Sequence, residues 1–463
     1  MRAKAWLILC IVSLPLSGSA QQNPSDNPVN KNPWASASTQ TMPMPSRSQG
    51  MAGQATSPSN PLSLKNAESI ALKNNPAISV ARLEALASQQ ITREVRSNLW
   101  PTAVANLTGV DAHDDSRISA GGLNNPVIYE RAAAGSTVSQ LITDFGHTTN
   151  LVASARLQAR ADDQNAVATR EQILLAVDQA FYDALQAQAV LRVAEQTVSS
   201  RQLLTDQVSA LTKSKLKSDL DLSFANVNLA QAKLLQLDAE NNAQAALASL
   251  SAVLGNPNLQ NFDLLDDTQA PAPPPDDVTQ LIANAFSKRP ELLAIEFQSQ
   301  SAEKLRNAAR DQLFPTISAL GAIGDTPFGD DRLSSWYGAV GVNVQVPIFN
   351  GFLFTARMHE ADLRAQANQE RLLDLRNRIS RDVRNAWLEV GTGYQRLSVS
   401  RQLLDQANQA LNLSQTRYNL GLGSIVELSQ AQLQQTQAEI NNAQAGYEYR
   451  LALSVLRYQT AGF

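Results

Sequence analysis

Cysteine, histidine and charge are all scarce in this chain. Its one cysteine, Cys10, falls within the first 20 residues, which read as a secretory signal. Arg2 and Lys4 give a basic start, Ala5–Leu16 an apolar run, and Gly18-Ser19-Ala20 a small-residue cleavage site. Removing 20 of the 463 residues leaves 443, with no disulfide, thiolate metal site or cysteine nucleophile. Leu-Ile-Leu ahead of Cys10 also makes it a poor lipidation site. The same cleavage removes two cations and shifts the formal net charge from −4 to −6, so a nucleic-acid partner is not expected. His113, His147 and His359 stand alone, without a ligand pair at helical spacing, and there is no phosphate loop. No catalytic set, metal site or cofactor site emerges, so any energy source belongs to a partner. No run of ~18 apolar residues remains to cross a membrane as a helix. A β-barrel stays open, because alternating strands barely register in hydropathy. Charged residues make up only 17%, and Ala, Gln, Asn and Ser take their places.

Residues 21–60 are rich in Pro, Ser, Asn and Gln and bury too little apolar surface to offset ordering, so they read as a disordered linker. Met42, Met44 and Met51 within it could form a soft copper or silver site, but a low-complexity tail accounts for them as well. The remainder of the chain is written twice. Lys73-Asn74-Asn75-Pro76 matches Ser287-Lys288-Arg289-Pro290, and Trp100-Pro101 matches Phe314-Pro315, both 214 residues on. Beyond residue 140 the offset becomes 206, which pairs Asp144 with Asn350, Phe181 with Trp387, Ser218 with Ser424 and Asp221 with Glu427. The first copy spans 61–262, an acidic Pro-rich hinge 263–277, and the second copy 278–463.

Each copy opens with a short helix and a longer one, the latter stopped by Pro101 or Pro315. Two strands come next, 102–112 and 132–142 in the first copy, 316–324 and 338–346 in the second. In the last of these Val340, Val342, Val344 and Val346 alternate with Ala339, Gly341, Asn343 and Gln345. Trp100, Phe314, Trp336 and Tyr337 sit at strand ends, where an interfacial aromatic girdle would place them. A soluble sandwich would look similar. The helices decide between the two. Hairpins are expected over 147–254 and 352–460, and no Gly or Pro interrupts 147–254. Ile173, Val177, Ala180, Ala184, Ala187, Leu191, Ala194 and Val198 alternate four and three apart, and adding 206 gives Ile379, Val383, Ala386, Val390, Gly393, Leu397, Ser400 and Leu404. That 3.5-residue period implies a left-handed supercoil, and the small seam residues imply close packing. A helix of ~95 Å must project away from whatever the strands occupy.

A sheet crossing lipid must close, and four strands fall short of the smallest barrel, which has eight. Two chains would give eight strands with a filled interior; three would give twelve with room for a lumen. The repeat, the Trp-Pro and Phe-Pro strand entries, QLITDFGHT (140–148), VQVPIFNGF (344–352) and RYNLGLGSIVELSQAQ (417–432) together resemble the TolC family of outer-membrane efflux proteins, over roughly residues 62–460. The resemblance implies a mixed, mainly α fold: a homotrimer with a twelve-stranded outer-membrane barrel, four strands per chain, continuing into a coiled-coil α-helical tunnel in the periplasm. It also implies the exit duct of a tripartite efflux or type I secretion system. The partners would be a periplasmic adaptor (membrane fusion) protein, through it an inner-membrane pump, and outer-membrane lipid. The alternative is a periplasmic or surface coiled-coil scaffold without transport.

The resemblance also directs attention to the helix reversals. The second-copy turn is Leu420-Gly421-Leu422-Gly423-Ser424, and the first-copy turn, Ser214-Lys215-Leu216-Lys217-Ser218, lacks glycine. The recurring exposed leucines Leu216 and Leu422, with Ser218, Gly421, Gly423 and Ser424, are the implied adaptor-docking tips. Asp221, Tyr418, Glu427 and Gln430 are the implied periplasmic gate. Tyr418 is expected to hydrogen-bond Asp221, three copies of Glu427 to form a ring favouring cations, and Gly423 to stand where relatives carry a locking arginine.

Overall fold

The computed structural model describes residues 61–111, 117–120, 123–127, 131–256, 262–266, 272–326 and 334–462. The expected signal, the linker with its methionines, and His113 lie outside them. The first copy runs β1 (Pro61–Leu62), α1 (Leu64–Asn74), α2 (Pro76–Ser97), β2 (Thr102–Val110), β3 (Arg117–Ala120), β4 (Leu123–Val127), β5 (Arg131–Thr143), α3 (His147–Lys213) and α4 (Asp219–Val253). The second runs β6 (Asp263–Leu264), α5 (Val278–Lys288), α6 (Pro290–Asp311), β7 (Thr316–Asp325), β8 (Trp336–Gln345), α7 (Leu353–Asn419) and α8 (Ile425–Gln459).

Local chemistry sets the helix starts. Pro76 and Pro290 occupy the first turn of α2 and α6, where a missing N–H costs nothing. Asn75 caps α2 by accepting from the Ala77 N–H at 2.9 Å and donates its own amide to the Val253 carbonyl at 2.8 Å. Asp144, buried at the strand-to-helix passage, accepts from the Thr148 N–H at 2.7 Å. His147 reaches the Ala308 carbonyl at 2.8 Å, tying the start of α3 to α6.

α3 and α7 have 67 residues each, about 100 Å at 1.5 Å per residue, and α4 and α8 have 35 each. None of the sixteen seam residues is exposed. Around the middle of α3, Val177, Phe181 and Ala184 pack with Ala67 and Ala71 of α1, Leu250 of α4, and Leu62 and Leu264 of the paired strands β1 and β6. The described parts of the proline-rich connection are tied to the helices. The Tyr447 hydroxyl donates to Asp266 at 2.9 Å, the Trp387 indole to the Pro275 carbonyl at 2.7 Å, and the Tyr449 hydroxyl to the Ala272 carbonyl at 2.5 Å.

The four main strands form one antiparallel sheet in the order β2-β5-β7-β8. Among the described residues, β3 and β4 pair with each other, apart from this sheet. Register sorts the side chains by face. Leu107, Val138, Ile323, Val340, Val342 and Val344 share one face, and Val340 is 93% and Leu107 87% exposed. The other carries Thr102, Asn106, Thr137, Ser139, Ser318 and Asn343, with Val104, Val110, Leu141 and Leu320 as apolar exceptions. Trp336 lies on the apolar face. Tyr337, also expected in the interfacial aromatic girdle, lies on the opposite face. Its ring lies over Gly324 and Gly135 on the polar face, so close that a Cβ on Gly324 would stand within 2.4 Å of it. Trp100 and Phe314 sit at the opposite, helix-side end of the strands, exposed, with Phe314 against Phe145 at 5.9 Å.

Asp178 of α3 is 1% exposed, and one of its carboxylate oxygens has no partner. Burial pushes its pKa from 3.8 to about 6, with Ser454 opposing and Glu68 adding to the rise. The folded state therefore holds this proton more tightly than the unfolded chain does. The resulting stability is full below pH 3.8 and is lost as pH rises through about 6. Thermal melts should show stability falling across that window in the wild type, with the slope reduced in Asp178→Asn.

Candidate functional site

The two helix reversals lie side by side. Leu204 and Val208 of α3, Ala225 of α4, Tyr418 of α7, and Ile425 and Leu428 of α8 form one small core that joins the hairpins just above their turns. Ser218 caps α4 by accepting from the Asp221 N–H at 3.2 Å, and Asp221 in return accepts from the Ser218 N–H at 3.2 Å, a reciprocal capping box. Ser424 caps α8 by accepting from the Glu427 N–H at 3.2 Å. The turns themselves are alike despite their sequences. Gly421 has φ +76°, and its counterpart Lys215 has φ +59°, a left-handed conformation that costs a non-glycine residue about 1–2 kcal/mol. Leu216 and Leu422 are 71% and 69% exposed. Nothing in either turn covers them.

Two expected contacts are differently made. The Tyr418 hydroxyl is buried without a hydrogen-bond partner, while Asp221 accepts from Ser218 instead. Burial, and secondarily the Asp221 charge, pushes the Tyr418 pKa up. What grips Tyr418 is Lys217 of the opposite turn. Its ammonium lies 3.9 Å from the ring centroid and 3.4 Å from the Tyr418 carbonyl. Glu427 is likewise not a lone carboxylate. Arg417 pairs with it at 3.1 Å and donates to the Leu422 carbonyl at 3.2 Å. Gly423 leaves room for this pair, since a Cβ there would stand 3.2 Å from both partners. Gln430, one turn beyond Glu427, is exposed.

Roughly three turns above the tips, a polar cavity of about 460 Å³ separates α3 from α7 and α8. Arg201, 7% exposed, crosses its edge and donates to the Gln432 carbonyl at 3.0 Å and the Thr436 hydroxyl at 3.3 Å. Burial lowers the Arg201 pKa to about 10, opposed by the charge of Glu439. Burial raises that of Glu439, opposed by its bond from Gln435 and by Arg201. Sequence reasoning missed Lys217, Arg417 and Arg201. Only Arg417 left a signal, in its nearness to a glycine where an arginine was expected.

These contacts set different values on the groups of Tyr418. Its hydroxyl makes no bond, so Tyr418→Phe should leave the melting temperature unchanged or raise stability by up to ~1 kcal/mol. Lys217→Gln removes the cation from the ring and should cost about 0.5–1 kcal/mol in the same calorimetric scan.

Comparison with known proteins places this architecture. The family model described as outer membrane efflux protein matches residues 68–256 and 281–461. The outer membrane protein OprJ of Pseudomonas aeruginosa is 24% identical over 375 residues, covering 80% of this chain and 78% of that one. The outer membrane protein TolC of Vibrio cholerae is 24% identical over 403 residues, covering 84% and 88%. The outer-membrane channel OprN superposes with a TM-score of 0.76 at 19% identity, over 86% of this chain and 90% of that one.

Proposed function

The chain belongs to the outer membrane efflux protein family and resides in the outer membrane, and on that premise we propose that three copies form the exit duct of a tripartite efflux or type I secretion system. The observation that carries this reading is the sheet. Its edge strands β2 and β8 have no partner on their outer sides among the described residues, and one of its faces is an uncovered row of Val, Ile and Leu. Bare edges and an apolar face are tolerable together only in lipid with the edges paired. β8 runs antiparallel to β2, so β8 of one copy can pair with β2 of the next, and the ring closes with every neighbour antiparallel.

The repeat supplies the rest of the interface. Within one chain the copies meet through β5 on β7, α3 on α6, and α3 on α8. The corresponding meetings of second copy with next first copy are β8 on β2, α7 on α2, and α7 on α4. The single chain leaves those surfaces open: Leu83 on α2, Leu234 on α4, and Leu363 and Leu413 on α7 are each more than 60% exposed. Six repeats, hence three chains, give twelve strands and a lumen, where eight strands would be filled.

In this reading the helices project into the periplasm, and the tips carrying Leu216, Ser218, Gly421, Leu422, Gly423 and Ser424 dock onto an adaptor protein bound to an inner-membrane pump. Asp221, Tyr418, Glu427 and Gln430 lie at the narrow end. The resting state is closed, with Lys217 on Tyr418 and Arg417 on Glu427 in place of the arginine absent at 423. Trp100, Phe314 and Trp336 sit at the lipid interfaces, with Pro101 and Pro315 turning the chain into the barrel.

The β5–β7 register predicts the junction between chains. Thr137 faces Ala322, so Asn343 should face Thr108 of the neighbour. The exported chain has no cysteine of its own. Asn343→Cys with Thr108→Cys should therefore, on oxidation, give a ladder on denaturing gels that stops at three chains. Absence of cross-linking, or a ladder that runs on, contradicts the closed ring.

A further inference from the structure

We infer that this duct does not select for cations, and that Arg417 is the residue that sets this; the inference rests on the duct reading above. The carboxylate that would form a ring at the mouth, Glu427, has its counter-charge 3.1 Å away within the same chain. Beyond such a pair the field falls as that of a dipole, and screening over a Debye length of about 8 Å at physiological salt weakens it further. The rest of the tip adds no acidic excess. Lys213, Lys215, Lys217 and Arg417 stand against Asp219, Asp221 and Glu427, four cations to three carboxylates. Asp221 is tied down in its capping box, and Lys217 lies on Tyr418.

The sheet agrees with the tips. Its polar face, over Thr102–Thr108, Gly135–Ser139, Thr316–Gly324 and Tyr337–Gln345, presents hydroxyl, amide and small side chains, with the apolar Val104 and Leu320 among them, and no charge. An ion passing along that face meets dipoles that serve either sign. Among the described residues, neither the tips nor this stretch of the sheet offers the stacked carboxylates that would conduct a divalent metal cation. The cargo class this arrangement suits is organic molecules, uncharged or anionic, passing as readily as cationic ones.

The reversal potential of purified trimers in a planar bilayer under a KCl gradient tests this. The wild type should show a potassium-to-chloride permeability ratio at or below one. Arg417→Gln should raise that ratio severalfold by baring Glu427, and adding Glu427→Gln to it should restore the wild-type value. Glu427→Gln alone should shift the ratio toward chloride, which gives a second reading should the first variant fail to assemble. A strongly cation-selective wild type, or an unchanged ratio in Arg417→Gln, overturns the role of Arg417 while leaving the duct intact. Trimers that conduct in no form overturn the duct reading and this inference with it.

Discussion

The unpaired backbone along β2 and β8 is the constraint on which the rest depends. A peptide group left without a hydrogen bond in hydrocarbon costs several kcal/mol, and each edge strand presents a row of them. No rearrangement within the chain relieves this, because the four strands are already in register with one another. Only further copies can. The direction of the strands allows a head-to-tail ring, in which the helices go wherever the ring places their roots.

The two repeats share one plan and divide the labour. α3 buries 20 side chains and α7 of equal length buries eight, because α3 lies amid the rest of its own chain while one flank of α7 stands open. Polar burial is also one-sided. Arg201 and Asp178 are buried in α3, while their counterparts 206 residues on are Ala407 and Arg384. α3 thus buries a guanidinium and a carboxyl group that α7 does not repeat at the equivalent positions. Duplication supplied the geometry, and divergence made one junction unlike the other.

Much of this was legible beforehand, for a physical reason. A coiled-coil seam declares itself by spacing alone, and a duplicated chain declares it twice. The helix ends Lys213 and Asn419, and the starts His147 and Leu353, stand 206 residues apart like the seam residues between them. The valines of β8 read directly as one face. Less was legible where several partners compete for one group. Tyr418 could have met Asp221, but its hydroxyl makes no such bond and its ring lies against Lys217. The Arg417–Glu427 pair spans a reversal whose width no spacing rule states. Lys215 could have been anticipated, since it aligns with Gly421 and inherits its left-handed backbone. The strand order, and the assignment of Tyr337 to the polar face, needed the register itself.

The family, the sheet with its bare edges and the exposed flanks of α2, α4 and α7 converge on one stoichiometry. Native mass spectrometry of the protein released from detergent measures it most directly. The account predicts a single species of three chains, stable until the detergent or heat that unfolds the barrel is applied. A monomer, a dimer or an open series of masses would contradict it.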